Sequence, residues 1–192
     1  MEITPLALPG VMLVTPHQIG DERGYFAEVF RADIFTKTCG SWHFVQDNES
    51  HSAKVGSIRG LHFQSEPQPQ GKLVRCTSGA LYDVAVDIRR GSPTYGRWIS
   101  QTLTPENGKQ LWLPPGFAHG FCSLERETVI SYKVTSYYNS GCEHGLAWDD
   151  PEIGVDWPNI ADESTLSDKD RVQPLLAELP EYFSWGRALS CA

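Results

Sequence analysis

Long apolar runs are missing from this 192-residue sequence. Nothing approaches the roughly 18 consecutive apolar residues that a membrane-spanning helix needs. The opening Met1-Glu2-Ile3-Thr4-Pro5 lacks a basic segment followed by an apolar one, so no signal peptide is expected and the chain is read as cytoplasmic. Positive charge is scarce as well: 16 Lys and Arg stand against 24 Asp and Glu, a formal net charge of −8. That balance argues against a nucleic-acid binder, which would carry a basic field. Any anionic ligand must therefore be held by a local cluster of positive groups. The five cysteines (Cys39, Cys76, Cys122, Cys142, Cys191) contain no C-x-x-C spacing and make an odd set, which fits reduced thiols better than a disulfide frame or a zinc site. Repeats, low-complexity segments and linkers are absent too, so a single domain is expected over residues 1–192.

What the chain does contain is strand and turn. Alternating apolar residues run through Leu73-Val74-Arg75-Cys76, through Leu81 to Ile88 and through Val129 to Thr135, with Gly, Pro and Asn clusters between them. This spacing predicts a mainly β sandwich or barrel. Helix is expected in only two places: Arg31 to Thr38, and from Ser167 onward, where Ser167-Asp168-Lys169-Asp170 caps a segment carrying Leu175, Leu176 and Leu179.

The most informative stretch is Gly56-Ser57-Ile58-Arg59-Gly60-Leu61-His62-Phe63-Gln64, which sets a histidine and an arginine on a strand pattern. A second is Leu113-Pro114-Pro115-Gly116-Phe117-Ala118-His119-Gly120-Phe121. Side chains two apart share a face of a sheet. His62 then falls with Gly60 and Gln64, Lys72 with Val74 and Cys76, and Tyr132 with Ile130 and Val134. All three point inward on this count, and a sealed apolar interior would not tolerate them, so a ligand-filled or solvent-connected cavity is expected. Each residue also has a plainer reading. His62 fits a hydrogen-bonded core residue, Lys72 a strand-end charge, Tyr132 a core aromatic, Asp170 a helix cap and Arg23 a turn residue.

Across nearly its whole length the chain resembles the dTDP-4-dehydrorhamnose 3,5-epimerases. The resemblance rests on Asp21 to Glu28, Gln46-Asp47-Asn48, Ser57 to Gln64, Gln70 to Val74, Asp83 to Gly96, Pro114 to Phe121, Tyr132-Lys133, Tyr137-Tyr138, Glu143 and Leu166 to Asp170, in that order and spacing. It implies a cupin-type jelly roll (double-stranded β-helix) with short peripheral helices, a homodimer, no metal and no cofactor. The implied substrate is a dTDP-4-keto-6-deoxyhexose, inverted at C3 and C5. Inverting a carbon beside a ketone requires a base for the α-proton, a positive group for the enolate and an acid on the other face. The resemblance gives these roles to His62 paired with Asp170, to Lys72 and to Tyr132. It implies further ligand contacts at Arg23, Glu28, Gln46, Asn48, Arg59, His119, Glu143 and Lys169, and stacking of the thymine on Tyr138. Arginine forks at positions 59 and 23 suit a diphosphate.

Three alternatives stay open. One is a single-carbon epimerase, since the outcome depends on how the ring and Tyr132 sit after the first inversion, and another is a non-catalytic sugar-binding cupin, which would keep the basic pocket. A metal-dependent cupin is the third, since Gly108 to His119 follows the spacing of a second cupin motif. Its first motif, however, has Gln64 where a metal cupin places the second histidine of His-x-His.

Overall fold

Apolar alternation on strands that are buried on both sides builds this molecule, whose computed structural model describes residues 1–186. Cys191 lies outside the described residues. The first sheet has six strands in the order β1 (Glu2–Pro5), β2 (Met12–Thr15), β11 (Gln110–Leu113), β7 (Lys72–Ser78), β13 (Thr128–Val134) and β5 (Gln46–Ser52). The second has five: β10 (Trp98–Leu103), β8 (Leu81–Asp87), β12 (Phe117–Ser123), β6 (Ile58–Gln64) and β14 (Glu143–Gly145). All pairings within both sheets are antiparallel. A hairpin of β3 (Gln18–Asp21) and β4 (Gly24–Ala27) stands apart, and β9 (Arg89–Arg90) pairs in parallel with β15 (Phe183–Ser184). The two large sheets pack as a jelly-roll sandwich of the cupin type.

Between the sheets lie Val74, Cys76 and Ile130 from one side and Leu81, Ala85, Phe117 and Phe121 from the other, all buried. The alternate residues of β6, β8 and β12 (Leu61, Phe63, Val84, Val86 and Ala118) face outward, under a cover made by Leu176, Leu179 and Phe183. The outer face of the six-stranded sheet is partly covered by α1 (Ala32–Cys39), whose Phe35 packs edge-on against Trp112 with ring centroids 5.0 Å apart. Burying side chains of this size contributes about 1.5–3 kcal/mol each.

The helix expected near Arg31 to Thr38 is α1. It ends at Gly40, whose φ of 94° places it in the left-handed region and whose N–H reaches back to the Thr36 carbonyl. The second expected helix does not form. From Ser167 the chain makes two short 3₁₀ turns, Asp170–Val172 and Leu176–Glu178. Pro174 separates them: it has no N–H to donate and drives Gln173 to extended backbone, with φ −68° and ψ 145°. Leu176 and Leu179 are buried all the same, while Leu175 is exposed.

One close approach shapes the site. Gly60 on β6 has φ 111°, and a Cβ built there would lie 2.6 Å from the Cα of Gly120 on β12. The two strands therefore touch backbone to backbone, beside a register shift between His119 and Phe121. Only glycine satisfies both the space and the conformation.

Candidate active site

The gap between the sheets opens into two cavities of about 370 Å³ and 180 Å³ that share His62, Lys72 and Tyr132 in their walls. His62 comes from β6 in the five-stranded sheet, while Lys72 and Tyr132 come from β7 and β13 in the sheet facing it. The inward faces expected from period-two counting are the faces observed. In the larger lobe stand Arg59, His119, Asp170 and the hydroxyls of Ser50, Ser57, Thr165 and Ser167. The smaller lobe is lined by Gln46, Asn48, Gln70, Tyr138 and Glu143.

His62 Nε2 lies 2.5 Å from Asp170 Oδ1. Asp170 is 5% exposed and opens the 3₁₀ turn Asp170–Val172. Burial pushes its carboxyl up, yet hydrogen bonding to the His62 ring, the charge of that ring, the Ser167 hydroxyl and the Gly60 N–H outweigh this and hold it below the ordinary carboxylate value. A carboxylate kept ionised against an imidazole fixes the ring's orientation. The Gly60–Gly120 contact thus has a chemical consequence, because the Gly60 N–H that supports Asp170 belongs to the tight segment.

Lys72 Nζ donates to the His62 carbonyl at 3.3 Å. Its removal from water brings its pKa down to about 8; Asp83 and Glu143 oppose that fall, and Lys169 adds to it. Burial also raises the Tyr132 phenol above its usual value, with Glu143 adding to the effect and Arg59 opposing it. At neutral pH the chamber therefore holds an ammonium and a protonated phenol facing an imidazole. A base and an acid on opposite walls, with a cation at their junction, can remove a proton from one face of a bound carbon acid and return one to the other.

The rim is tied together. Glu143 Oε2 accepts from Lys169 Nζ at 2.6 Å and from the Tyr138 hydroxyl at 2.8 Å. Gln46 accepts from the Tyr138 N–H at 3.0 Å and donates to Asn48 Oδ1 at 2.7 Å. Arg59 Nη2 donates to the His51 carbonyl at 3.0 Å. Of the candidate residues, only Arg23 and Glu28 stand away from the chamber. Arg23 is at the turn of the β3–β4 hairpin, its side chain 85% exposed and paired with Asp21. Glu28 follows that hairpin, exposed, with Arg31 Nη1 3.8 Å away.

Gln64, at the position a metal cupin would give to histidine, is fully used elsewhere. It donates to the carbonyls of Gln68 and Tyr137 and accepts from the Asn139 N–H. Among the described residues no three His, Cys, Asp or Glu side chains converge as a metal site.

One group escaped the sequence reading. Asp83 on β8 is fully buried, and its Oδ1 lies 2.7 Å from His119 Nε2. The signal was available, since Asp83 alternates with the inward Leu81 and Ala85.

Comparison with known proteins decides between chemistries that such a chamber could serve. Residues 5–178 match the model of the dTDP-4-dehydrorhamnose 3,5-epimerase family. The chain belongs to that family. It is 56% identical to the dTDP-4-dehydrorhamnose 3,5-epimerase of Sinorhizobium fredii over 96% of this chain and 94% of that one. The crystal structure of the 3,5-epimerase from Legionella pneumophila, in complex with dTDP-4-keto-L-rhamnose, superposes with a TM-score of 0.90 at 42% identity, over 97% of this chain and 99% of that one. A dTDP-4-dehydrorhamnose 3-epimerase from Streptomyces niveus is more distant, 38% identical over 93% of this chain and 85% of its own length.

Proposed function

We propose that this chain, acting as a single domain, epimerises dTDP-4-dehydro-6-deoxy-D-glucose at C3 and C5 to dTDP-4-dehydro-L-rhamnose. The observation that carries the reading is the meeting of His62, Lys72 and Tyr132 at one junction, base and acid on facing sheets. His62 removes the proton α to the C4 ketone, and Asp170 stabilises the imidazolium that forms. Negative charge then builds on the ketone oxygen, and the Lys72 ammonium meets it in a site where water is scarce and electrostatic attraction strong. The Tyr132 phenol delivers a proton to the opposite face. Every step is assigned to a side chain.

The remaining contacts follow from the ligand's shape and charge. Arg59, with its planar fork, and His119 face the larger lobe, where they suit the anionic part of the nucleotide. Tyr138 at the rim stacks the thymine, while Gln46, Asn48, Glu143 and Lys169 supply polar contacts around it. Arg23 and Glu28 are assigned to the same ligand across a homodimer. The hairpin that carries Arg23 also exposes Ile19, Tyr25 and Phe26, each more than half accessible. An apolar, outstanding hairpin of this kind is suited to docking against a second copy, and would bring both residues to the partner's chamber. The chemistry needs neither membrane nor nucleic acid; no helix among the described residues is long and apolar enough to cross a membrane, and we place the enzyme in the cytoplasm.

The test is proton exchange. Incubating the dTDP-4-keto-6-deoxyhexose with enzyme in D₂O is expected to wash deuterium into C3 and C5, and His62→Ala is expected to abolish exchange at both. Equal exchange by wild type and His62→Ala would refute the assignment of the base. Exchange confined to one carbon would favour the single-carbon reading.

A further inference from the structure

The edge strand of the five-stranded sheet carries a contact that the chemistry itself does not use. Gly145 on β14 is the direct cross-strand partner of His62 on β6, so a side chain there would point to the same face as the imidazole. That place is taken by the side-chain amide of Gln173. A Cβ built on Gly145 would lie 2.2 Å from Gln173 Cδ, 2.4 Å from its Oε1 and 2.6 Å from its Nε2. The φ of Gly145 lies outside the left-handed region, so glycine is required here by space and not by conformation. Gln173 closes the turn that Asp170 opens, and Asp170 Oδ1 lies 2.5 Å from His62 Nε2. We infer that Gln173 is a positioning residue: its amide, laid over the bare backbone of Gly145, seats the turn on the sheet and so holds the Asp170 carboxylate against the base. The inference rests on the role of base assigned to His62 above.

The way the turn is tied down shows why a seat matters. Upstream, the Thr165 hydroxyl accepts from the Ile58 N–H at 3.0 Å, fixing the chain to the start of β6. Downstream, the Pro174 carbonyl accepts from the Ala147 N–H at 2.9 Å, just beyond β14. Between these ties the turn bonds back on itself, the N–H groups of Asp170 and Arg171 both donating to the Ser167 carbonyl. Of the residues joining Asp170 to Pro174, Arg171 and Val172 are exposed, Val172 by 79%. Gln173 is therefore the side chain of this stretch that rests on the sheet. Glycine offers the amide no polar side-chain partner, so what Gln173 supplies at this contact is shape and dispersion attraction. Small displacements are costly in a dyad, since a misplacement of about 1 Å can lower a rate by up to about 100-fold.

Gln173→Ala empties the seat and leaves the lining of both lobes intact. In the exchange assay kcat should fall about fivefold with dTDP affinity unchanged, and Gln173→Met, similar in length, should return to within about twofold of wild type. Gly145→Ala should act as Gln173→Ala does, by displacing the amide, and the double variant should lose no more than either single change. Additive losses would overturn the inference. So would a loss of dTDP affinity matching the loss of kcat, or no rescue by methionine, because either result marks general loosening of the fold. The dyad has a signature of its own that needs no turnover. The low-field proton resonance of the short His62–Asp170 hydrogen bond should shift or broaden in Gln173→Ala and return in Gln173→Met; a signal unmoved in Gln173→Ala would refute the inference. Wild-type protein supplies a check that requires no variant to fold: a nuclear Overhauser effect is expected between the Gln173 side-chain amide protons and the Gly145 α-protons, and its absence would equally refute the contact. Absence of exchange by the wild type would instead count against the proposed reaction.

Discussion

Replacing Lys72 with methionine should make the protein more stable while disabling it. Lys72 has its pKa brought from 10.5 to about 8 by burial, so the folded state holds its proton less tightly than the unfolded chain does. The sign follows from linkage: below pH 8 both states carry the proton and folding bears the whole cost of burying the charge. Between about 8 and 10.5 the folded state sheds the proton first, and the cost fades; above 10.5 it is gone. With 1.36 kcal/mol per pKa unit, the cost is about 3 kcal/mol at pH 7 and about 1.4 kcal/mol at pH 9.5. Methionine has nearly the same length without the charge. Lys72→Met is therefore expected to gain about 3 kcal/mol in urea unfolding at pH 7, with the advantage roughly halved at pH 9.5. Turnover should fall by orders of magnitude, because the enolate loses its cation. A variant less stable than wild type at pH 7, or a gain that does not shrink as pH rises, would refute this account of Lys72.

Three other substitutions probe the rest of the site. Asp170→Asn weakens a charge-assisted hydrogen bond worth about 1.5–3 kcal/mol, so kcat in the exchange assay should drop by about 10- to 150-fold with dTDP affinity unchanged; a wild-type rate would rule out the dyad. Tyr132→Phe keeps the base and is expected to impair product formation more than initial deuterium exchange, whereas equal losses would remove Tyr132 from the role of acid. Gly60→Ala forces a Cβ to within 2.6 Å of the Gly120 backbone at φ 111°; circular dichroism melting should show destabilisation of more than about 2 kcal/mol, and an unchanged melting temperature would contradict the close approach.

Much of the site could be read from the sequence because β-strands alternate. Once Val74, Cys76, Ile130 and Val134 are taken as inward, Lys72 and Tyr132 must share their face, and the structure places them there. What periodicity cannot supply is pairing across distance. Asp170 meets His62 from 108 positions away, and no local pattern announces the bond; only resemblance to a family joined the two. Asp83 was missed because its strand reads as a core strand, and its partner His119 lies 36 positions downstream on a separate element. The helix expected after Ser167 failed for a local reason. The spacing of Leu175, Leu176 and Leu179 suggested an amphipathic turn, but Pro174 interrupts the hydrogen-bond ladder, and the leucine face survives only as a short 3₁₀ segment. Arg23 and Glu28 show a different limit: nothing in their local sequence tells that they stand on and just after an exposed hairpin, away from the chamber.

The charges that the strands turn inward explain how an acidic protein can house an anionic ligand. Arg59 and Lys72 bring positive charge to the chamber, and Asp83, Glu143 and Asp170 are set against individual members of the site. Unpaired ions would not survive burial in a sandwich core. Matching each carboxylate to one base or one cation lets the walls carry charge without collapsing the fold, and leaves Arg59 and the Lys72 ammonium facing open space. Pairing is shortest where the proposed mechanism needs rigidity, at His62 with Asp170. Lys72, which must answer a charge that appears only during reaction, is instead held by a weak 3.3 Å contact to a carbonyl. A lysine locked in a short salt bridge would have its charge neutralised before the enolate formed; one held only by a carbonyl keeps its attraction for the transition state.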